Sequence, residues 1–178
     1  MDLLSQLKSL MHDADIPHTQ VELKRNAFLK VKGSTDTNLY HIDEGTLRIF
    51  MEDEFEEHTI RLGYTGNFIA ALDSFISDQP SDLYIQALKK CTVRVYKKSD
   101  YTAFLNSSKE ATQLWHKMNE WRIFQQLERE KDILTQSPKL RYERVLKRSP
   151  QLFQEIPLKY IASYLRMSPE TLSRLRNS

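Results

Sequence analysis

The stretch Ile161-Ala162-Ser163-Tyr164-Leu165-Arg166-Met167-Ser168-Pro169-Glu170-Thr171-Leu172-Ser173-Arg174 gathers the residues best placed to do chemistry. Ser168 suits the cap of a helix, and Pro169 suits its first position, where a missing N–H costs nothing. The helix that follows can present Glu170, Thr171, Ser173, Arg174 and Arg176 outward. Such a helix fits the major groove of duplex DNA, with its first turns against the base edges. Arginine suits guanine O6 and N7, and a glutamate can accept from cytosine N4. Lys159, Ser168 and the helix N-terminus can hold phosphates.

A supporting helix must hold this one in place, and residues 158–165 supply it. The small Ala162 lets the two helices approach closely, while Ile161, Leu165, Met167, Leu172 and Leu175 can form the core between them. A plain two-helix packing motif has the same layout, so charge has to discriminate. Residues 138–178 hold nine Lys or Arg against three acids, a net +6, whereas the rest of the chain is −4 and the whole is +2. A mildly acidic body with a basic C-terminal segment points to a polyanionic partner for that segment.

Glycine and proline divide the remainder of the chain. All four glycines (33, 45, 63 and 66) lie in the first 66 residues, and four of the six prolines lie in the last 41. Short segments at 21–24, 39–42, 46–50, 58–62, 84–88 and 92–96 partly alternate apolar with polar residues, between turns at 43–45 and 63–66. They read as the strands of a sandwich or jelly-roll barrel. Residues 1–11 read as a helix packed on it. From about 109 to 136 the apolar residues Leu114, Met118, Trp121, Phe124, Leu127 and Leu134 recur mostly every three or four positions, with no Gly or Pro. This predicts one long amphipathic helix, ended at Ser137-Pro138. Its aromatic-rich stripe must be covered, by the barrel, by a second copy of the chain, or by both. We expect both. The predicted fold class is thus α+β, with a jelly-roll or sandwich domain at 1–108, a long helix for dimerisation at 109–136 and a helix-turn-helix domain at 137–178.

Other chemistry finds little support. The five histidines (12, 18, 41, 58 and 116) show no metal-ligand spacing, and no phosphate loop, dinucleotide fingerprint or nucleophile elbow is present. We therefore expect no catalytic residues, no bound metal and no cofactor. The single cysteine, Cys91, excludes an internal disulfide and a four-cysteine cluster, and reads as a small buried hydrophobe. The acidic run Glu52-Asp53-Glu54-Phe55-Glu56-Glu57 reads as a solvated hairpin tip. No apolar run approaches the roughly 20 residues of a membrane span, and no signal peptide is visible, so a cytoplasmic protein is expected.

Taken in order, these features resemble the Crp/Fnr transcription regulators. Gly33, Gly45 and Gly66 match turn glycines of the family's cyclic-nucleotide-binding-type barrel, and 168–174 is similar to its recognition helix. The resemblance implies a homodimer that binds double-stranded DNA and is switched by a small-molecule effector. It places Glu170 and Arg174 at two base-reading positions, with Pro169 at a third. The family's phosphate-binding cassette carries a Gly-Glu pair and, ten residues after the Glu, an Arg-Ser pair. Here Ala70-Ala71 and Ser81-Asp82 stand instead. The candidate effector pocket, Phe68, Ala70, Ala71, Leu72, Ser81 and Asp82, thus lacks the phosphate's cationic partner. Losing such a pair costs about 2–5 kcal/mol, and cyclic AMP is not expected to be the ligand. A micromolar dissociation constant by calorimetry would overturn this. The family usually has glycine where Arg166 stands, which predicts a strained residue of positive φ. It also continues beyond the recognition helix into a wing, most of which is expected to be lacking here. The competing expectation is a ligand-binding or protein-interaction module of the same fold that no longer reads specific DNA.

Overall fold

A computed structural model describes residues 3–177. The first helix, α1 (Leu3–Asp13), is followed by β1 (Thr19–Leu23), β2 (Phe28–Lys30), β3 (Leu39–Glu44), β4 (Thr46–Glu52), β5 (Glu57–Tyr64) and β6 (Phe68–Ile69). Then come α2 (Leu72–Ser77), β7 (Tyr84–Ala87), β8 (Cys91–Tyr96), α3 (Lys98–Ser107) and the long α4 (Lys109–Leu134). Four short helices complete the chain: α5 (Pro138–Arg148), α6 (Leu152–Glu155), α7 (Leu158–Tyr164) and α8 (Pro169–Asn177). The expected helix at 1–11 is seen from Leu3; Met1, Asp2 and Ser178 lie outside the described residues.

The strands form two antiparallel four-stranded sheets, ordered β1-β8-β3-β6 and β2-β7-β4-β5. They face one another across a shared core of Tyr40, Ile42 and Val93 from the first and Leu47, Ile49 and Ile85 from the second. The sheets do not close into a barrel, so the sandwich alternative describes them. The tight β3–β4 turn depends on Gly45, at φ +106°, where a Cβ would lie 2.5 Å from both the Lys90 carbonyl and Cys91 Sγ. Cys91 itself is buried, and its thiol donates to the Thr46 carbonyl at 3.1 Å. Burial pushes that thiol above its ordinary value, which suits a small core residue rather than a reactive one.

α1, α3 and the first half of α4 build a second core beside the sandwich. Leu7, Met11, Phe104, Leu105, Ala111, Leu114 and Met118 are all buried there. Ser108 caps α4 by accepting from the Ala111 N–H at 3.1 Å, which separates α3 from α4. The predicted stripe on α4 therefore splits. Leu114 and Met118 are covered within the chain, whereas Trp121, Phe124, Leu127 and Leu134 are 39%, 55%, 46% and 73% exposed.

One buried group gives the fold a pH dependence. His41 lies on β3 with its Nδ1 3.0 Å from Asp43 Oδ1, and among the described residues its buried Nε2 has no hydrogen-bond partner. Burial first, and the charge of Lys8 second, hold its pKa below the ordinary value of 6.5. The unfolded chain then takes up a proton near pH 6.5 that the folded chain refuses, so stability falls on acidification. The melting temperature is expected to drop between about pH 7.5 and 5.5. That slope should flatten in His41→Asn, and an unchanged slope would contradict the assignment.

Candidate nucleic-acid interface and its attachment to the sheets

A C-terminal helical head is built from α5 to α8 around Val145, Leu152, Ile156, Ile161, Ala162, Leu165 and Leu172. Ala162 is fully buried where α7 and α8 meet; its small side chain permits that approach. Met167 is half-buried against the same cluster, and Leu175 is half-buried on α8. The turn between the helices closes with two bonds, Met167 N–H to the Ala162 carbonyl at 3.0 Å and Arg166 N–H to the Ser163 carbonyl at 3.1 Å. These make a Schellman ending, with Arg166 in the left-handed position glycine favours. Its φ is +52°, as the resemblance implied. Its side chain is exposed, so little packing opposes a change. Arg166→Gly is expected to stabilise the chain by about 1 kcal/mol, read as a rise in melting temperature. A fall would show that the arginine side chain contributes more than its backbone strain removes.

Ser168 caps α8, accepting from the Thr171 N–H at 3.2 Å. Glu170, Ser173, Arg174 and Arg176 are exposed on α8, and Thr171 is half-buried. Glu170 and Arg174 are four residues apart and share one face. The Glu170 carboxyl turns back on the helix end: hydrogen bonds with its own backbone N–H and the Ser168 side chain hold its pKa below the usual carboxylate range. Sequence reasoning missed this engagement, because Ser168-x-Glu170 is one residue short of the usual capping box. Lys159 is exposed on α7, with its Nζ 4.7 Å from the centre of the Tyr160 ring.

The head is fastened to the sandwich through β5, the edge strand of its sheet. Ser163 Oγ donates to the Glu57 carbonyl at 3.3 Å and accepts from the Thr59 N–H at 3.1 Å. The helix thereby covers a strand edge that would otherwise offer free backbone groups. Arg48 adds a second link. It is buried, bonds Gln86 and Glu57, and stacks its guanidinium 4.6 Å from the centre of the Tyr160 ring. Lys89 pairs with Glu155 at 2.9 Å, and the Arg129 guanidinium of α4 lies 3.7 Å from the centre of the Tyr164 ring. A cleft results, with Glu56, Glu57 and His58 on one side and Lys159, Arg166 and Ser168 on the other. Carboxylates thus border the candidate phosphate-binding groups.

At the joint between α4 and α5, Asp132 is fully buried. Arg144 donates to its Oδ1 at 2.9 Å, and Arg148 bonds its other oxygen. Glu128 pairs with Arg144 at 3.0 Å, and the hydrogen bond from Lys131 is the first of the causes that hold its pKa down. Sequence reasoning gave none of these five a role.

The six candidate effector residues do not share one space. Phe68 and Ala70 line a cavity of about 400 Å³ under α4. Ala71 is fully buried in the core between the sheets, Ser81 is buried in its loop, Leu72 is half-buried and Asp82 is exposed. A cation from β2 braces the cassette loop instead. Lys30, buried on β2, donates from Nζ to the carbonyls of Val31 at 2.9 Å, Ser81 at 3.2 Å and Leu83 at 2.6 Å. Its three donors are thus spent on backbone. The sequence carried no signal for this, since β2 is a three-residue strand.

No family model and no curated relative matches the chain. Solved structures do. A mutant of CooA from Carboxydothermus hydrogenoformans is 14% identical with a TM-score of 0.74, over 99% of this chain and 83% of that one. FixK2 from Bradyrhizobium japonicum is 15% identical with a TM-score of 0.72, over 90% and 83%. The catabolite activator protein of Thermus thermophilus is 17% identical with a TM-score of 0.56, over 98% and 81%. At such identities the likeness speaks for the fold, and the fold of this chain is that of the Crp/Fnr transcription regulators.

Proposed function

We infer that the chain is a sequence-specific, DNA-binding transcription regulator that acts as a homodimer and responds to an effector other than cyclic AMP. The observation that carries this reading is α8. It is a capped helix braced by α7, with Glu170, Ser173, Arg174 and Arg176 exposed on the most basic segment of the chain. In this reading Arg174 and Glu170 meet base edges, while Lys159, Ser168 and Arg176 hold phosphates.

The exposed stripe Ile123, Phe124, Leu127 and Leu134 on α4 supports a dimer, because a patch of this kind is normally covered by a partner. Two reading heads would then enter successive major grooves about 34 Å apart, on a roughly palindromic site. Among the described residues no helix is long and apolar enough to cross a membrane, which agrees with a protein working on DNA in the cytoplasm.

Selection from a random pool of duplexes, followed by binding of the winner against salt, tests the reading. A palindromic consensus whose binding weakens steeply with salt supports it. A second reading, an interaction module that no longer selects DNA, is favoured by the acidic residues facing Lys159 and Ser168. It predicts weak binding without sequence preference in the same experiment.

A further inference from the structure

Between the sandwich, α1, α3, α4 and the reading head lies the cavity of about 400 Å³, a size typical of small-ligand sites. Phe68, Tyr101, Trp115 and Trp121 give it aromatic walls. Arg61, Arg122 and Arg148 also line it, and among the described residues no Asp or Glu does. Arg148 has its counter-charge in Asp132. The other two have none: among the described residues the arginines in ion pairs are Arg48, Arg94, Arg144 and Arg148. Arg61 reaches only the side-chain oxygen of Gln126, at 3.4 Å. Burial lowers the Arg122 guanidinium below its usual value, and the charge of Arg61 is the next cause. Two like charges gathered in a half-enclosed, aromatic-walled space repel each other, and an anion between them relieves that repulsion.

We propose that this cavity is a binding site for an aromatic anion, a planar ring system bearing a carboxylate, sulfonate or phosphate group. Arg61 and Arg122 hold the charged group, and the rings lie among Phe68, Trp115 and Trp121. The site shares Phe68 and Ala70 with the cassette, whereas Ala71, Ser81 and Asp82 do not line it. It also has Arg148, Leu152 and Tyr164 of the reading head in its wall. Occupancy therefore favours whichever placement of the head completes that wall. This coupling rests on the regulator reading, whereas the binding does not.

The test titrates anilinonaphthalene sulfonate, an aromatic anion, into the full chain while tryptophan fluorescence is followed. The uncharged phenylnaphthylamine is run in parallel. Saturable binding of the sulfonate that quenches tryptophan, and is at least about 30-fold tighter than that of the neutral probe, is the expected result. Equal binding of the two probes overturns the proposal, and this contrast needs no variant. In Arg122→Gln and Arg61→Gln the preference for the anion should disappear, with the melting temperature of Arg122→Gln unchanged or raised. Retained preference, or a melting temperature lowered as for a merely structural arginine, overturns it as well. The selected duplex is then titrated with and without the sulfonate. A change in DNA affinity supports the coupling; no change, with binding intact, overturns the coupling and leaves the site standing.

Discussion

Asp132→Ala is expected to destabilise the chain by about 3–5 kcal/mol, a large part of the roughly 5–15 kcal/mol that holds a domain of this size together. The carboxylate is fully buried between α4 and α5, and two arginines from α5 depend on it. Its removal leaves Arg144 and Arg148 facing each other with only Glu128 to answer both charges. Arg144 is 37% and Arg148 19% exposed, so water can reach them in part, and the lower end of the range is expected. Chemical denaturation with an unchanged dependence on denaturant concentration would give the value. Asp132→Asn keeps the shape and one acceptor, so it should cost less than the alanine. A loss below about 1 kcal/mol for the alanine variant would show that the pair acts as an exposed one does. The same joint sets the angle at which α5 leaves α4, so Asp132→Ala should also weaken DNA binding in the fraction that stays folded.

The second large effect concerns recognition. Arg174→Ala is expected to weaken binding to the selected duplex by about 5- to 150-fold, the range for loss of a bidentate pair to guanine. Binding to unrelated duplexes should change little, so the specificity ratio collapses. Arg174 is exposed and lies away from the small core of the head, so stability should move by less than about 0.5 kcal/mol. Lys159→Ala is the contrasting variant. Removing a phosphate-binding ammonium there weakens all duplexes alike and lowers the salt slope by about one. Uniform weakening on Arg174→Ala would instead place that arginine on the phosphates, and the base reading would have to come from elsewhere on α8.

Much of the fold was legible because it rests on local rules. Six strands, the long helix and the last two helices stand where alternation, periodicity and capping put them. Ser168 caps α8 through its hydroxyl, and Pro169 opens it. The positive φ of Arg166 was expected from the resemblance, because the family usually has glycine there. The elements that escaped are those too short to show a period: β2, β6, α2 and α6 have between two and six residues. α3 escaped for another reason. It runs almost directly into α4, and the boundary is set by one serine, Ser108, in extended conformation.

The site divides in the same way. By itself the sequence determined helix α8, its cap and its outward residues, of which Thr171 is half-buried. Each of these depends on residue identity and on spacing within a few turns of chain. The tertiary structure decided which groups from distant segments meet. Lys30 lies 51 residues from Ser81, Ser163 lies 104 from Thr59, and both pairs are bonded. Arg61 of β5 and Arg122 of α4 come to one cavity only because the long helix crosses the sandwich. Burial decides these long-range meetings. The chain folds to cover its apolar faces, and the charges that ride on those faces are brought together wherever that covering takes them.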